Sequence, residues 1–375
     1  MIDFEARLKS LKNRRQGSRE RAVIDSIAEG FTRNAAILSG VDPREREPFE
    51  RILASQSIRY AIGAMAAVKK ASTEISIREG HRVADNLIAG LARAGENTTK
   101  RLQGSVALDI HIEGHSDVDV LIIEENSVFF ERPSSIAYLP KTDSREMIDI
   151  IRDIRIKSEE ILKNNFPAAD VTCSNGKSIA IENGSLQRKV DIVPALWFDS
   201  TEYQSHKQES LRGIDVYHKN DHTLIRNYPF KHIQRVEEKD RYYEGNLKRV
   251  IRLLKNIIAD LPDQKKRIAK KLTSYDIAAI AFHMNNQLRT PAYLQLGLVE
   301  KTRQHLDLLC LLEEYRVGLI VPDGTRKIFD HADKIAALEL VKEECTALAQ
   351  AICRDLAPHS TTYDPSVILN EALAP

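Results

Sequence analysis

The sequence has few aromatic residues, few cysteines and almost no net charge. Aromatic residues make up 6% of its 375 residues, and 55 lysines and arginines against 54 acids leave a formal net charge of +1. Near-neutral charge gives no indication of a general polyanion-binding protein, although it can hide a local basic patch. The scattered cysteines have no histidines nearby at zinc-like spacing, which favours free thiols over a metal site. They are Cys173, Cys310, Cys345 and Cys353.

Long apolar runs are also missing. No run approaches the length that spans a bilayer. Residues 1–16 are charged and periodic, without the apolar centre of a signal peptide. We therefore expect a cytoplasmic protein with no membrane partner. The chain is long enough to bury a sizeable core, in one large domain or in two lobes.

The predicted elements run in the order helices, mixed β-rich core, helices. Apolar residues repeat at helical spacing before Arg101 and again beyond Tyr242, while the region between them contains short strand-like runs. This order predicts an α/β (α+β) fold with a mixed sheet. We expect an N-terminal helical extension over residues 1–78, a core with a spine helix over 79–240, and a C-terminal helical lobe over 241–375.

Several local patterns place the strands of this core. Val118 to Ile123 is mostly apolar and predicts a buried strand, and Ser144 to Leu162 has helical spacing. Asn175-Gly176 is a strong hairpin signal between two strand-like runs. The later strand-like runs are Asp170–Ser174, Ser178–Glu182 and Gln187–Trp197.

Three aspartates interrupt apolar strands in this core. Asp117 and Asp119 are two residues apart, so period two puts both carboxylates on one face and turns Val118 and Val120 toward the core. Asp191 lies in a second apolar strand, where an unpaired acid would be costly to bury. Neighbouring carboxylates repel unless a cation or proton lies between them. Oxygen-rich sites of this kind suit Mg²⁺ and the two-metal chemistry of phosphoryl transfer.

Each feature alone has an ordinary explanation. Most Asp-x-Asp pairs are solvated turn or surface residues, and an isolated strand aspartate can face water. Gly104-Ser105 could be a simple N-cap, although glycine lets the backbone approach a phosphate closely and serine can offer a hydroxyl and an N–H. The combination of Gly-Ser, Ser-Asp-x-Asp and a later strand acid favours an enzyme.

The same combination resembles the polymerase-β-like nucleotidyltransferases. In detail it is similar to the cyclic GMP-AMP synthase and oligoadenylate synthase branch, and most closely to its bacterial relatives, the CD-NTases of anti-phage signalling. The matching segments are Gln103-Gly104-Ser105, Gly114-His115-Ser116-Asp117-Val118-Asp119 and Val190-Asp191-Ile192-Val193-Pro194.

The resemblance implies an activity and a set of ligands. It implies an enzyme that joins nucleoside triphosphates, with ATP favoured, into a cyclic or short linear oligonucleotide second messenger and releases pyrophosphate. Asp117, Asp119 and Asp191 would hold two Mg²⁺ ions, for which Mn²⁺ could substitute. Gln103, Gly104 and Ser105 would bind nucleotide.

The C-terminal half carries looser matches. Lys255 resembles the lysine that this family sends to the donor triphosphate, and Ser274-Tyr275 resembles its phosphate-binding and base-stacking element. Pro322-Asp323-Gly324 looks like a late family turn. The basic helix around Lys255 could equally be a solvated face, and Tyr275 could equally be a core tyrosine. Where the family often has Gly-Thr, this chain has Leu108-Asp109-Ile110, a departure in the donor-pocket region.

Two other functions are consistent with the sequence. One is a transferase that adds a nucleotide to a protein, tRNA or small molecule; the other is a catalytically silent nucleotide- or RNA-binding scaffold.

The N-terminal helices are expected to contact an effector protein, a regulator or a second copy of the chain. A short RNA or linear oligonucleotide is a conceivable partner, whereas activation by double-stranded DNA is not expected, since no long basic segment is present.

Overall fold

The computed structural model describes residues 2–16, 46–132 and 145–373. The chain forms two compact units. The sheet unit comprises Lys70–Asp109 and His115–Glu237, and the helical unit comprises Met1–Lys69, Ile110–Gly114 and Glu238–Pro375. The helical pattern expected around Val23, Ile27 and Phe31 lies outside the described residues.

The sheet unit contains a seven-stranded mixed sheet, of which the sequence predicted the mixed character and four strands. The strands are β1 (Thr98–Gln103), β2 (Val118–Phe130), β3 (Asp170–Thr172), β4 (Ile179–Glu182), β5 (Val190–Asp199), β6 (Gly213–His218) and β7 (Thr223–Asn227). Five strands follow the order β1-β2-β5-β4-β3; β6 pairs with the second half of β5, and β7 pairs with β6. β2 and β5 are parallel, and their neighbours are antiparallel.

The alternation along β2 and β5 fixes which side chains share a face. Val118, Val120 and Ile122 pack into one hydrophobic cluster, while Leu121 and Ile123 pack into a second cluster on the opposite face. Asp119 alternates in step with Leu121 and Ile123 and therefore lies on their face of the sheet. The predicted inward orientation of the two valines is confirmed, since both are buried.

Helices α3 (Lys70–Arg93), α4 (Gly104–Ala107) and α5 (Met147–Asn165) contribute residues to the first cluster. The short helix α6 (Thr201–His206) follows β5. The structure confirms the helix predicted near residues 144–162 and the antiparallel β3–β4 hairpin. Strands β1, β6 and β7 were not predicted. In β1 every residue is half-buried and most are polar, so an apolar periodicity was absent.

The helical unit combines both ends of the chain. Its helices are α1 (Phe4–Gln16), α2 (Gln56–Met65), α8 (Asn246–Ala259), α9 (Asp263–Ala269), α10 (Ser274–Phe282), α11 (Gly297–Leu311), α12 (Glu313–Val317), α13 (Asp333–Leu356) and α14 (Pro365–Leu369); α7 (Pro229–Tyr242) crosses the boundary between the units. None of the described helices is long and apolar enough to cross a membrane.

The first helix is held by the C-terminal helices. Leu11 is fully buried, and the Arg14 guanidinium donates to both carboxylate oxygens of Asp260 at 2.9 Å. Arg7 pairs with Glu344 at 2.7 Å. The described residues before Lys70 thus fall in the same compact unit as the residues after Glu237.

Candidate active site

The parallel pairing of β2 with β5 brings the predicted acids together. Asp119 and Asp191 are direct Cα partners in the register of these strands. Asp117 immediately precedes β2 and shares the parity of Asp119. All three carboxylates therefore lie on one face at the start of two neighbouring strands.

Burial and mutual repulsion disfavour full ionisation of these acids. Burial, followed by the charges of Asp191 and Asp117, raises the pKa of Asp119 to about 6. Burial also raises the pKa of Asp191, whose carboxylate accepts a hydrogen bond from the Ser178 hydroxyl at 3.4 Å. This electrostatic environment favours a cation beside the carboxylates.

Lys189 supplies a positive charge at this site, and sequence reasoning did not single it out. Its Nζ lies 2.6 Å from Asp117 Oδ2 and 3.5 Å from Asp191 Oδ2. The hydrogen bond to Asp117 raises the pKa of the lysine. The available signal was its position two residues before Asp191, which gives both side chains the same parity on a strand.

The Gly-Ser turn lies directly against Asp119. Gln103 ends β1 as the Cα partner of Asp119, and Gly104 follows with a φ of 78°. A Cβ at Gly104 would come within 2.2 Å of Asp119 Oδ2. Glycine is needed here both for its backbone conformation and for this close approach. Ser105 lies next to it in the single turn of α4 and is half-buried.

The donor set fits a hard divalent cation. Carboxylate oxygens are the ligands that Mg²⁺ prefers, and Mg²⁺ usually keeps several waters and binds substrate phosphates as well. Within the ranges that the structure describes, no group of three or more acidic, histidine or cysteine side chains is arranged to hold a metal ion. An open carboxylate edge of this kind is compatible with an ion that completes its coordination with water and substrate.

Lys255 lies on α8 in the helical unit. Its Nζ donates to the carbonyl oxygen of Ile110 at 2.8 Å, and burial lowers its pKa to about 8. Arg252, one turn earlier, is also buried and donates to the Met65 carbonyl at 2.9 Å. The alternative of a solvated basic face is therefore wrong for these two residues.

Ser274 and Tyr275 begin α10, also in the helical unit. Thr273 caps this helix, Ser274 is exposed, and the Tyr275 hydroxyl donates to Asp323 at 2.5 Å. Burial and the Asp323 charge raise the pKa of Tyr275. Asp323 also accepts from the backbone N–H of Thr325 at 3.0 Å. Two C-terminal segments that resemble family elements thus contact each other.

Comparison with known proteins agrees with this geometry. No protein-family model matches the chain. The cyclic dinucleotide synthase CdnE of Yersinia aleksiciae is 36% identical over 367 residues, covering 96% of this chain and 95% of that protein. A c-di-GMP synthase of Capnocytophaga granulosa is 30% identical over 312 residues, covering 76% and 85%. The solved structure of the STING-associated CdnE c-di-GMP synthase from Capnocytophaga granulosa matches with a TM-score of 0.70 and 25% identity, covering 94% of this chain and 99% of that one.

The mixed sheet and the strand carboxylates, together with these relatives, define a nucleotidyltransferase with the polymerase-β-like fold. The chain belongs to the CD-NTase family of bacterial nucleotidyltransferases. The predicted fold, family and enzyme class are thereby confirmed, and the chain joins nucleoside triphosphates into an oligonucleotide, cyclic or short and linear. Enzymes of this family generally need divalent metal ions.

Proposed function

We propose that this chain makes a cyclic dinucleotide and that GTP is one of its substrates. The relative that spans nearly the whole chain is named a cyclic dinucleotide synthase, and two others with at least 30% identity are named c-di-GMP synthases. GTP therefore takes precedence over ATP as the first substrate to test. The related structure described as STING-associated supports a role for the product as a signal in bacterial defence.

The observation that carries the catalytic proposal is the register of Asp119 with Asp191. Direct pairing on parallel strands, with Asp117 just before one of them, concentrates three carboxylates on one face. We assign all three as ligands of two divalent cations. Bound there, such ions would lower the pKa of an attacking sugar hydroxyl and neutralise the charge that develops on the leaving pyrophosphate.

The Gly104–Ser105 turn is proposed to bind the triphosphate beside the acids. Gly104 carries no Cβ that could separate the turn from Asp119, so the turn can approach the phosphates closely. Ser105 offers its hydroxyl and backbone N–H to phosphate oxygens. Gln103 is proposed to contact the same nucleotide, since it ends β1 opposite Asp119.

The helical unit is proposed to supply further nucleotide contacts. Lys255 would bind phosphate, Ser274 would donate to phosphate from the exposed start of α10, and the Tyr275 ring would stack on a base. The hydrogen bond between Tyr275 and Asp323 fixes the ring's orientation, which supports stacking rather than a purely core role.

The chemistry consists of two successive nucleotidyl transfers. A sugar hydroxyl of one nucleotide attacks the α-phosphate of the other, a P–O bond forms, and pyrophosphate leaves. The free hydroxyl of the linear intermediate then attacks the remaining α-phosphate, which closes the ring and releases a second pyrophosphate. The alternative function, transfer of a nucleotide to a protein or tRNA, would require the addition of that macromolecule. This requirement distinguishes it from synthesis of a cyclic dinucleotide.

The test is incubation of the purified protein with each ribonucleotide alone and in pairs, with Mg²⁺ or Mn²⁺, followed by mass spectrometry. We expect a GMP-containing product of cyclic dinucleotide mass that resists phosphatase and exonuclease. Asp191→Asn should abolish it, whereas Asp170→Asn, at an exposed strand acid of the same unit, should not. Product that forms only after addition of a protein or tRNA would refute the proposed function.

A further inference from the structure

Lys189 occupies a position from which it touches two of the three acids. It is the residue before β5, and its carbonyl oxygen accepts a hydrogen bond of 3.1 Å from Val118, the first residue of β2. Its side chain shares the parity of Asp191, and its Nζ contacts one oxygen of Asp117 at 2.6 Å and one of Asp191 at 3.5 Å. The backbone thus holds the lysine where both strands begin.

The ammonium and a divalent cation would share the same carboxylates. Asp117 and Asp191 are assigned above as metal ligands, and each already offers one oxygen to Lys189. A metal ion on these oxygens would lie within a few ångströms of the ammonium, where like charges repel strongly even in a partly polar surrounding. The flexible four-carbon stem of lysine allows Nζ to move away without a change in the backbone.

We propose that Lys189 is a built-in counter-cation that stabilises the carboxylates in the metal-free enzyme and competes with the divalent ion for them. This inference rests on the proposed metal-binding role of the acids. Lys189 is a positioning residue in this sense: it sets the metal affinity of the site and leaves the acids when the metal binds.

An ordinary surface ion pair is the competing explanation. The Lys189 side chain is 30% exposed and that of Asp117 is 48% exposed, and pairs of such exposure often contribute little. Its simultaneous contact with Asp117, just before β2, and Asp191, in β5, favours the counter-cation. The two explanations differ in what they predict for metal binding without substrate.

The experiment measures Mn²⁺ binding to the full chain in the absence of nucleotide, from the electron paramagnetic resonance signal of free Mn²⁺. We compare Lys189→Met, which removes the charge, with Lys189→Arg, which keeps it. Lys163→Met is the matched control at an exposed lysine of the same unit. Lys189→Gln serves as a second neutral variant, so that a folding defect in one substitution does not decide the result.

The neutral variants should bind Mn²⁺ about tenfold more tightly than the wild type, because removal of a nearby positive charge strengthens cation binding. The arginine variant and the Lys163 control should match the wild type. In EDTA, the neutral variants should melt at a lower temperature, since their carboxylates have lost the counter-charge.

Unchanged or weaker Mn²⁺ binding in both neutral variants would overturn the counter-cation role. The Asp191→Asn variant shows whether such a result refutes only the role of Lys189 or also the proposed metal site. If Asp191→Asn loses Mn²⁺ binding while the neutral Lys189 variants gain none, only the role of Lys189 is wrong. If Asp191→Asn binds Mn²⁺ like the wild type, the metal assignment is wrong as well.

Discussion

Replacement of Gly104 by alanine should separate backbone strain from disruption of the acid site. Gly104 has a φ of 78°, and a Cβ there would lie 2.2 Å from Asp119 Oδ2. Gly95, in the same unit, has a similar φ of 82°, but its Cβ would meet nothing within 4 Å. Gly95→Ala therefore reproduces the backbone change without the clash.

The two effects have different magnitudes. An L residue in the left-handed region costs about 1 kcal/mol, which applies to both substitutions and should lower each melting temperature by a few degrees. Normal contact distances are well above 2.2 Å, so the Gly104→Ala clash requires the Asp119 carboxylate to move by about 1 Å. A displacement of that size in a catalytic group commonly reduces turnover about 100-fold.

The assay is pyrophosphate release at saturating nucleotide and metal, with thermal unfolding followed in parallel. Gly95→Ala should retain turnover near that of the wild type, while Gly104→Ala should lose about two orders of magnitude with similar melting. Near-normal turnover of Gly104→Ala would refute the requirement for a close approach to Asp119. An equal loss in Gly95→Ala would show that strain alone explains the effect.

Three further predictions concern the helical unit. Because burial lowers the pKa of Lys255 to about 8, the lysine loses its positive charge above that pH, and kcat/KM for the nucleotide should fall there. The Lys255→Arg variant should keep its kcat/KM to higher pH. Identical pH profiles of kcat/KM in the two enzymes would contradict the phosphate contact. Tyr275→Phe should lower the free energy of unfolding by about 1–2 kcal/mol through the lost hydrogen bond and leave KM nearly unchanged, whereas Tyr275→Ala should raise KM. Equal KM values in the two variants would argue against stacking. Arg14→Ala leaves Asp260 buried without its bidentate partner and should lower the free energy of unfolding by about 3 kcal/mol, measured by chemical denaturation. Arg267→Ala, at an exposed arginine, is the control and should leave stability unchanged. A loss of stability no larger than that of the control would show that α1 is not held by this pair.

Local sequence patterns determined the faces and turns of the core. The Asp-x-Asp spacing fixed both carboxylates on one face, because side chains alternate along a strand whatever its neighbours are. Asn175-Gly176 correctly marked a reversal between β3 and β4, although the connection spans residues 173–178 and neither residue has a positive φ. The helical spacing of apolar residues beyond Tyr242 likewise predicted helices, among them α8.

Tertiary structure decided which of these features meet. The pairing of Asp119 with Asp191 depends on the register of two strands far apart in sequence, and register follows from packing across the whole sheet. The same pairing places Lys189 between Asp117 and Asp191, whereas its sequence position indicates only that its side chain shares a strand face with Asp191. The grouping of α1 with the C-terminal helices also required the fold, since Arg7 and Arg14 find their acidic partners Glu344 and Asp260 far away in the sequence.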